Sequence, residues 1–290
     1  MSTFTEFPST PSPEHPALPV TEIKPVGAWQ LPDFRELWDF RELLLTLALR
    51  DIKIRYKQSV IGILWAVIQP VMTMVVFTVL FGKLAQMPSD GVPYPVFAFA
   101  ALVPWQLFQR ALTQGSSSLV TFNAMMSKVY FPRMFAPLSS ILSGLVDFGI
   151  AFLVLLLLLA WYQVSPGPGI VLLPAFVLLA LLSALAISLW LSALNVAYRD
   201  VEYALPFLAQ IWMFLTPVIY PVALVPEQWR WLVMLNPMAG VIEGFRWGLL
   251  GRSAPPDPLL VAVSGGMMLV LLFGGFFYFN RVQMTYADRV

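Results

Sequence analysis

The sequence predicts an all-α polytopic membrane protein with six transmembrane helices, an N-terminal amphipathic interfacial helix and a re-entrant helical hairpin between helices 5 and 6. Two observations carry this prediction. Of the 290 residues, 59% are hydrophobic and only 11% are charged, whereas an average soluble domain carries roughly 25% charged residues. The apolar residues also form long uncharged runs, and a helix needs about 20 such residues to cross a bilayer core. An ordinary soluble globular protein is therefore excluded.

Missing residue types exclude several kinds of chemistry. Cysteine is absent, and the single histidine, His15, lies among N-terminal prolines. Thiolate or imidazole catalysis and Cys/His zinc sites are thus not expected within the fold. No Gly-x-x-x-x-Gly-Lys-Ser/Thr loop occurs, so this chain does not hold ATP in a P-loop. We expect no catalytic residue, no metal site, no cofactor in this chain and no nucleic-acid partner; if ATP drives transport, another subunit binds it.

The chain divides into a tail and a membrane domain. Residues 1–32 are rich in proline, with scattered serine and threonine, a composition that indicates a disordered cytoplasmic tail. No basic start followed by an apolar stretch is present, so we expect no cleaved signal peptide. Residues 33–290 form the predicted membrane domain.

An amphipathic helix is predicted to begin at Asp33, because Glu36 three residues later completes a capping box. Apolar residues then recur at spacings of three and four, with charged residues between them. The pattern indicates a helix that lies along the inner membrane surface. It ends in a basic run made of Arg50, Lys53, Arg55 and Lys57.

The six spans are predicted from the uncharged runs, with the longest run divided by the sequence SPGPG at 165–169. Thirteen of the 17 Lys and Arg residues lie on one side of the resulting topology and four on the other. Both termini are therefore predicted to be cytoplasmic. The predicted spans are residues 60–81, 95–114, 137–161, 170–194, 204–219 and 259–279.

The re-entrant hairpin is predicted from two apolar stretches, 229–235 and 238–250, that are too short to cross. Asn236 and Pro237 suit the start of the second stretch. Glu243 and Arg246 are three residues apart and can pair on one helix face. Glycines at 240, 244 and 248 allow close helix packing.

Other intramembrane side chains allow more than one interpretation. Asp147 falls near the middle of the third span, without an intramembrane basic partner in the predicted topology. It fits a hydrogen bond between helices or a polar group facing a channel better than proton coupling. The aromatic residues, including Trp105, Trp161 and Trp190, are mostly expected at the membrane interfaces or facing lipid.

Several motifs occur in order along the chain and together resemble one family. They are SVIGILWA at 59–66, QP at 69–70, VLFG at 79–82, VYFPR at 129–133, YRDV at 198–201, TPVIYP at 216–221, LNP at 235–237 and EGFR at 243–246. In this order they resemble the ABC-2 type permeases that export polysaccharides. The resemblance covers residues 34–290.

The resemblance implies a homodimer of permeases paired with two copies of an ATP-binding cassette subunit, which binds ATP and Mg, in the bacterial inner membrane. The implied cargo is a lipid-linked polysaccharide, and the sequence is most similar to the lipopolysaccharide O-antigen branch; capsular polysaccharide and teichoic acid are alternatives. It also implies an ATP-driven channel along the dimer axis, lined mainly by spans one and five. A membrane-embedded glycosyl- or acyltransferase and an ion-coupled transporter are more distant alternatives.

The resemblance also implies roles for individual residues. In related permeases the segment after span two holds a coupling helix that docks on the ATPase, which here comprises Asn123, Lys128, Tyr130, Phe131, Pro132 and Arg133. We expect Asn123 to cap a short helix that Pro132 ends; an ordinary surface loop is the alternative. The basic run then serves as a cytoplasmic gate for the carrier's phosphate or as an anchor to anionic lipid. Tyr220, Trp229 and Trp231 are candidates for stacking against sugars at the outer side.

Overall fold

The computed structural model describes residues 34–57, 62–126, 128, 131–251 and 255–286, and these residues form helices and connecting turns without a β-strand. The all-α fold class is therefore confirmed over the described ranges. Asp33 and the predicted disordered tail, residues 1–32, lie outside them.

The predicted interfacial helix is formed as two helices. Helix α1 spans Phe34–Asp39 and α2 spans Arg41–Lys57, with a turn at Phe40 between them. Leu47 and Ala48 of α2 are buried against the rest of the fold, mainly against the third-span helix. Ile54 stays 63% exposed, so α2 has one apolar side toward the protein and another toward its surroundings.

The first two spans differ in length from the prediction. A 3-10 turn at Gly62–Leu64 leads into α3, Trp65–Phe77, and the helix continues as a π-helical stretch, Thr78–Leu84. Helix α4 covers Tyr94–Met126, well beyond the predicted end at residue 114. Its 33 residues extend over about 50 Å, so α4 is longer than a bilayer core is thick.

The third, fourth and sixth spans agree with the prediction to within a few residues, except that the sixth continues farther at its C-terminal end. Helix α5 is Phe135–Trp161 and α6 is Leu173–Ala197, preceded by a 3-10 turn at Pro168–Leu172. The turn between α5 and α6 contains the predicted SPGPG sequence. Helix α10, Pro258–Tyr286, ends the described chain.

The fifth span ends earlier than predicted. Helix α7 is Asp200–Leu215 rather than 204–219, and Thr216 has an extended backbone with ψ 143°. The reason is Pro217, because a proline disfavours helical backbone at the residue before it. A 3-10 turn at Val222–Leu224 follows this bend.

Two short helices occupy the predicted hairpin region. They are α8, Glu227–Met234, and α9, Pro237–Leu250. Asn236 caps α9 as expected, since its side-chain oxygen accepts a hydrogen bond from the backbone N–H of Met238 at 3.0 Å. Gly251, with φ +60°, ends the helix in the left-handed region.

Four helical segments within the described ranges are long and apolar enough to cross a membrane. They are Gly62–Leu84, Phe135–Trp161, Pro168–Ala197 and Pro258–Val282. The other two predicted spans correspond to α4, which carries several glutamines and an arginine, and α7, which has only 16 residues. The protein is thus a multi-pass membrane protein.

The N-terminal part of α4 forms the centre of the fold, because residues 96–103 are almost completely buried. Helix α4 packs along α5, α6 and α9, and α10 packs on the other side of α6. Trp105 is 0% exposed, so the expectation that it faces lipid or an interface is wrong. Trp161, at 82% exposure, agrees with that expectation. Trp190 donates to the Leu271 carbonyl at 2.9 Å and stacks on Tyr278.

Glycines in α9 allow the close packing that their spacing predicts. A methyl group at Gly244 would overlap the Phe176 ring of α6, and one at Gly240 would overlap the Ser264 hydroxyl of α10. At Gly248 it would come within 3.1 Å of the Gly169 carbonyl oxygen. Helix α9 is therefore wedged between three neighbouring segments.

Candidate functional site

A cluster of ionic side chains surrounds Asp147 on α5. The Asp147 carboxylate accepts hydrogen bonds from the Tyr56 hydroxyl and from the Arg55 guanidinium, and it also forms an ion pair with Arg110. The expectation that Asp147 lacks an intramembrane basic partner is therefore wrong. The predicted topology puts Arg55 in the cytoplasmic basic run and counts Arg110 among the cytoplasmic charges, and nothing local in the sequence indicates that α2 reaches α5.

The cluster ties three helices together. Besides Asp147, the Arg55 guanidinium donates to the Gln114 side-chain oxygen at 2.7 Å and to the Ser143 hydroxyl at 3.4 Å. Arg55 thus joins α2 to both α4 and α5. Because Asp147 is only 7% exposed, its charge depends on these partners, and removing one partner of a buried ion pair is strongly destabilising.

Tyr56 acts in the cluster as a hydrogen-bond donor. Burial raises the pKa of the Tyr56 phenol above its ordinary value of 10.0, and its hydrogen bond to Asp147 raises the pKa further. The phenol therefore remains protonated at neutral pH. It can donate to the carboxylate over the whole physiological range.

The cluster lines part of a polar cavity with a volume of about 540 Å³. Side chains from α3 and α4 form two of its walls, while Asp147 comes from α5 and Pro206 from α7. The α3 wall consists of Trp65, Gln69 and Thr73, and the α4 wall consists of Gln106, Gln109, Arg110, Thr113 and Gln114.

The α4 wall was missed by the sequence analysis, although its signal was present. Residues 106, 109, 110, 113 and 114 follow the spacing of a single helix face, and all five are polar. The prediction treated the glutamines as part of an uncharged span and Arg110 as a flanking charge. A search for polar periodicity within the span would have found this face.

The predicted basic run does not act as one group. Lys53 and Lys57 are exposed. Arg50 pairs with Asp51 at 2.9 Å and lies over the Phe122 ring of α4, 4.3 Å from its centroid. Only Arg55 points into the cavity.

Among the described residues, the predicted coupling segment contains no separate short helix. Asn123 lies inside the last turns of α4, which continues to Met126, so the expectation that it caps a new helix is wrong. Pro132 precedes α5, and residue 131 before it is not helical. Lys128 is exposed in a turn, Arg133 is half-buried, and Tyr130 lies outside the described residues.

Phe131 occupies a different environment from that expected of a docking residue. Its side chain is 3% exposed and belongs to a buried cluster with Leu47 of α2, Phe122 of α4 and Phe135 of α5. Phe131 therefore attaches the segment before α5 to the interfacial helix. Its ring is not available to a partner surface in this conformation.

The site residues predicted for the outer side fall into two groups, an ion pair and three aromatic side chains. Glu243 and Arg246 form the predicted pair, with a nitrogen to oxygen distance of 3.2 Å. Tyr220 donates to the carbonyls at the end of α7 at 3.4 Å. Trp229 and Trp231 lie on α8 with 52% and 55% of their surface exposed, and among the described rings no aromatic contact joins these three residues.

Arg246 holds the bend after α7 in place. Its guanidinium donates to the carbonyls of Val218 at 2.7 Å and Tyr220 at 3.2 Å, and it lies 3.7 Å from the centroid of the Phe97 ring. The side chain is only 1% exposed. These backbone carbonyls have no helical partner, so a buried guanidinium satisfies groups that would otherwise be costly at membrane depth.

A family model described as ABC-2 type transporter matches residues 42–250. The chain belongs to the ABC-2 type transporter family. The match includes α2, the polar cavity and the two short helices α8 and α9 in one continuous stretch. The Asp147 cluster is therefore part of the transporter domain rather than of an added segment.

Three relatives illustrate where this ABC-2 type transporter chain lies within the family. It is 30% identical to an O-antigen export system permease protein, RfbA, of Myxococcus xanthus over 259 residues, covering 88% of this chain and 98% of the relative. It is 26% identical to a Klebsiella pneumoniae protein of the same name, covering 85% and 94%. A polysialic acid transport protein, KpsM, of Escherichia coli is 23% identical, with coverage of 68% and 77%.

Proposed function

We propose that this chain is the channel-forming subunit of an ATP-driven exporter that carries a lipid-linked polysaccharide across the bacterial inner membrane. O-antigen is the first candidate for this polysaccharide. The single observation that carries the proposal is a polar cavity among the spans of an ABC-2 type transporter chain. The similarity to O-antigen export permeases over nearly their whole length supports the choice of cargo. A hydroxyl-rich chain needs such a polar path, because its hydroxyl groups cannot enter hydrocarbon unpaired.

The proposed assembly is a homodimer of this chain with two copies of an ATP-binding cassette subunit. The partner binds ATP and Mg, and the permease itself holds no cofactor. Six spans with cytoplasmic termini, an interfacial α1–α2 segment and a re-entrant α8–α9 hairpin complete the proposed topology. In this topology α4 crosses the membrane within the bundle, where neighbouring helices cover most of its surface, and α7 crosses at the edge of the bundle with one side exposed.

Coupling to the ATPase is proposed at the turn between α4 and α5, through Lys128 and the neighbouring Tyr130, Pro132 and Arg133. Exposed Lys128 is available for contact with a partner. Phe131 and Asn123 have a supporting role, because the Phe131 ring packs against α2 and Asn123 belongs to α4. Motion at the turn thus has a packed connection to α2 and to the cavity.

The basic run and the residues predicted on the outer side are proposed to have more specific roles than the sequence suggested. Exposed Lys53 and Lys57 attract anionic headgroups at the cytoplasmic mouth, and Arg50 and Arg55 orient α2 against α4 and α5. Tyr220, Trp229 and Trp231 provide aromatic surface at the outer side, and the Glu243–Arg246 pair stabilises the bend from which Tyr220 projects.

Reconstitution tests the proposal. The permease is placed in proteoliposomes with its ATP-binding partner, and delivery of a fluorescent lipid-linked glycan to the opposite leaflet is measured with and without ATP. We expect delivery only when both subunits and ATP are present. Delivery by the permease alone, without the partner, would contradict an ATP-driven mechanism.

Capsular polysaccharide is the second candidate cargo, because the similarity to polysialic acid transport proteins covers 68% of the chain. Teichoic acid has no comparable support among these relatives. Deletion of the gene in its native bacterium separates the two candidates. Loss of O-antigen ladders from extracted lipopolysaccharide with intact capsule supports the first, and the reverse pattern supports the second.

A further inference from the structure

We propose that the cavity between α3, α4 and α5 binds a sugar that carries a phosphate or pyrophosphate group. The inference rests on the proposed function and deepens it, because it names the part of a lipid-linked glycan that this site holds. Three features of the cavity support it: an excess of positive charge in its lining, a wall of side-chain amides without hydrogen-bond partners, and an exposed indole ring.

The charge of the cavity lining is not balanced. Arg55 and Arg110 share the single carboxylate of Asp147, which leaves one net positive charge among the charged lining residues. The two guanidinium groups keep 23% and 24% of their side-chain surface accessible. An uncompensated cation at membrane depth is costly, so an anionic ligand that enters the cavity supplies a missing counter-charge.

Arg110 has donors left for such a ligand. Within the described part of the chain, Asp147 is the one ion-pair or hydrogen-bond partner of its guanidinium, whereas Arg55 also donates to Gln114 and Ser143. A guanidinium carries five N–H donors and matches phosphate oxygens with paired hydrogen bonds. Asp147 therefore orients Arg110 toward the cavity without using up its donors.

The remaining walls are suited to hydroxyl groups. The side-chain amides of Gln69, Gln106 and Gln109 line the cavity, and over the described ranges none of them is hydrogen-bonded to another residue. An amide offers both donors and an acceptor, the combination that sugar hydroxyls require. A site for an inorganic anion alone has no need of this wall.

The indole of Trp65 adds an apolar face. It lines the cavity and is 48% exposed, and an aromatic ring with a polar edge suits the apolar face of a sugar ring. The cavity volume of about 540 Å³ falls within the range typical of small-ligand sites. It therefore fits the phosphate end of a glycan and its first sugar rather than a length of polymer.

The test measures binding to the full-length permease in lipid nanodiscs by isothermal titration calorimetry. Four probes are compared: a short prenyl pyrophosphate linked to N-acetylglucosamine, the same prenyl pyrophosphate without sugar, N-acetylglucosamine 1-phosphate, and octyl glucoside. The cavity variants are Arg110→Gln, Arg110→Lys and the double variant Gln106→Ala with Gln109→Ala. The controls are Arg199→Gln and Gln228→Ala, whose side chains are exposed outside the cavity.

Arg110→Gln is expected to weaken the binding of all three phosphate probes about 10-fold or more, because a charge-assisted hydrogen bond is lost. Arg110→Lys is expected to retain more of the affinity, because it keeps the charge. The double glutamine variant is expected to weaken only the two phosphate probes that carry sugar, by about 3- to 10-fold. Both controls should bind like the wild type.

The probe series also identifies the source of the phosphate. Tighter binding of the prenyl-linked sugar than of N-acetylglucosamine 1-phosphate supports a lipid-linked ligand, and equal binding supports a free sugar phosphate at the same site. Unchanged affinities in the cavity variants, or octyl glucoside binding as tightly as the phosphate probes, would overturn the inference. Thermal unfolding of each variant confirms that the compared proteins are folded.

Failure of this inference and failure of the proposed function give different results. If the reconstituted complex delivers glycan but the cavity variants bind all probes like the wild type, only the inference fails. If the wild-type complex delivers nothing while the cavity binds sugar phosphate as expected, the exporter assignment fails and the site remains.

Discussion

Asp147 determines the charge balance of the cavity, because one carboxylate is shared by two guanidinium groups. Its position on α5 places it opposite Arg110 of α4 and Arg55 of α2. A neutral side chain here leaves two cations close together in a poorly hydrated place, where like charges repel more strongly than in water.

Asp147→Asn is therefore expected to lower the free energy of unfolding by about 3 kcal/mol. Thermal unfolding in detergent measures the loss. The double variant Asp147→Asn with Arg110→Gln should recover part of it, because the number of uncompensated positive charges falls from two to one. A single variant as stable as the wild type would contradict the importance of the shared carboxylate.

Arg246 stabilises the bend after α7. Its guanidinium satisfies two backbone carbonyls after α7 and packs against the Phe97 ring. Arg246→Met should cost at least about 3 kcal/mol, since it leaves buried carbonyls unpaired. Arg199→Met is the matched control, because it makes the same substitution at an exposed arginine outside this bend. Urea unfolding of both variants compares the two losses, and equal losses would contradict the assigned role.

Among the elements, α9 is constrained most closely by its neighbours. A Cβ at Gly244 overlaps the Phe176 ring, whereas a Cβ at Gly265 of α10 meets nothing within 4 Å. Both glycines lie in helices, where alanine is otherwise favoured by roughly 0.5–1 kcal/mol.

Gly244→Ala should therefore destabilise the protein and Gly265→Ala should leave it equally stable or more stable. Differential scanning fluorimetry of the two variants gives the comparison. A second variant, Gly244→Ala with Phe176→Leu, should regain stability by making room for the methyl group. If Gly244→Ala melts at the wild-type temperature, α9 is packed more loosely than the structure indicates.

Residues with strong backbone preferences made the ends of several helices predictable, whereas the length of α4 was not predictable from them. Proline and glycine placed the α5–α6 turn, and Asn236 placed the start of α9. The early end of α7 at Leu215 was foreseeable from Pro217. The predicted span nevertheless continued to residue 219, because the residues after the bend are also apolar. The length of α4 was not foreseeable from apolar runs, because its last turns are polar and stay helical through contacts with α2 and α5.

The candidate site shows the same division. Residue types alone singled out Asp147, as an acid within a span, and the basic run that contains Arg55. Helical spacing held the information for the polar face from Gln106 to Gln114. Their meeting could not be deduced from one sequence, because Arg55 and Asp147 are 92 residues apart and nothing local determines that α2 packs against α5. Tertiary packing decides such contacts.

At the scale of the whole molecule, the turn before α5 and the cavity are connected by packing. Phe131 contributes to the buried cluster that includes Leu47 of α2, and α2 in turn carries Arg55 into the cavity. If the proposed partner docks at this turn, a displacement of the turn is expected to reach the cavity through these packed side chains.

Phe131→Ala is expected to separate ATP hydrolysis from export. Loss of the ring leaves a gap between the turn and α2, so we expect the reconstituted complex to retain at least half of its ATPase rate while glycan delivery falls about 10-fold. Phe273→Ala is the control, because Phe273 of α10 is 51% exposed. Parallel losses of hydrolysis and delivery in Phe131→Ala would show that the ring has no specific part in coupling.

Pro104 divides α4 into two lengths with different neighbours. The part before it, residues 96–103, is enclosed on all sides, and the part after it carries the cavity wall and runs about 33 Å farther to Met126. Proline removes one hydrogen bond from a helix and makes bending there easier. The five polar side chains of the wall, at 106, 109, 110, 113 and 114, all lie on the part after Pro104. A bend at Pro104 would therefore move them together, and the site would change shape as one unit.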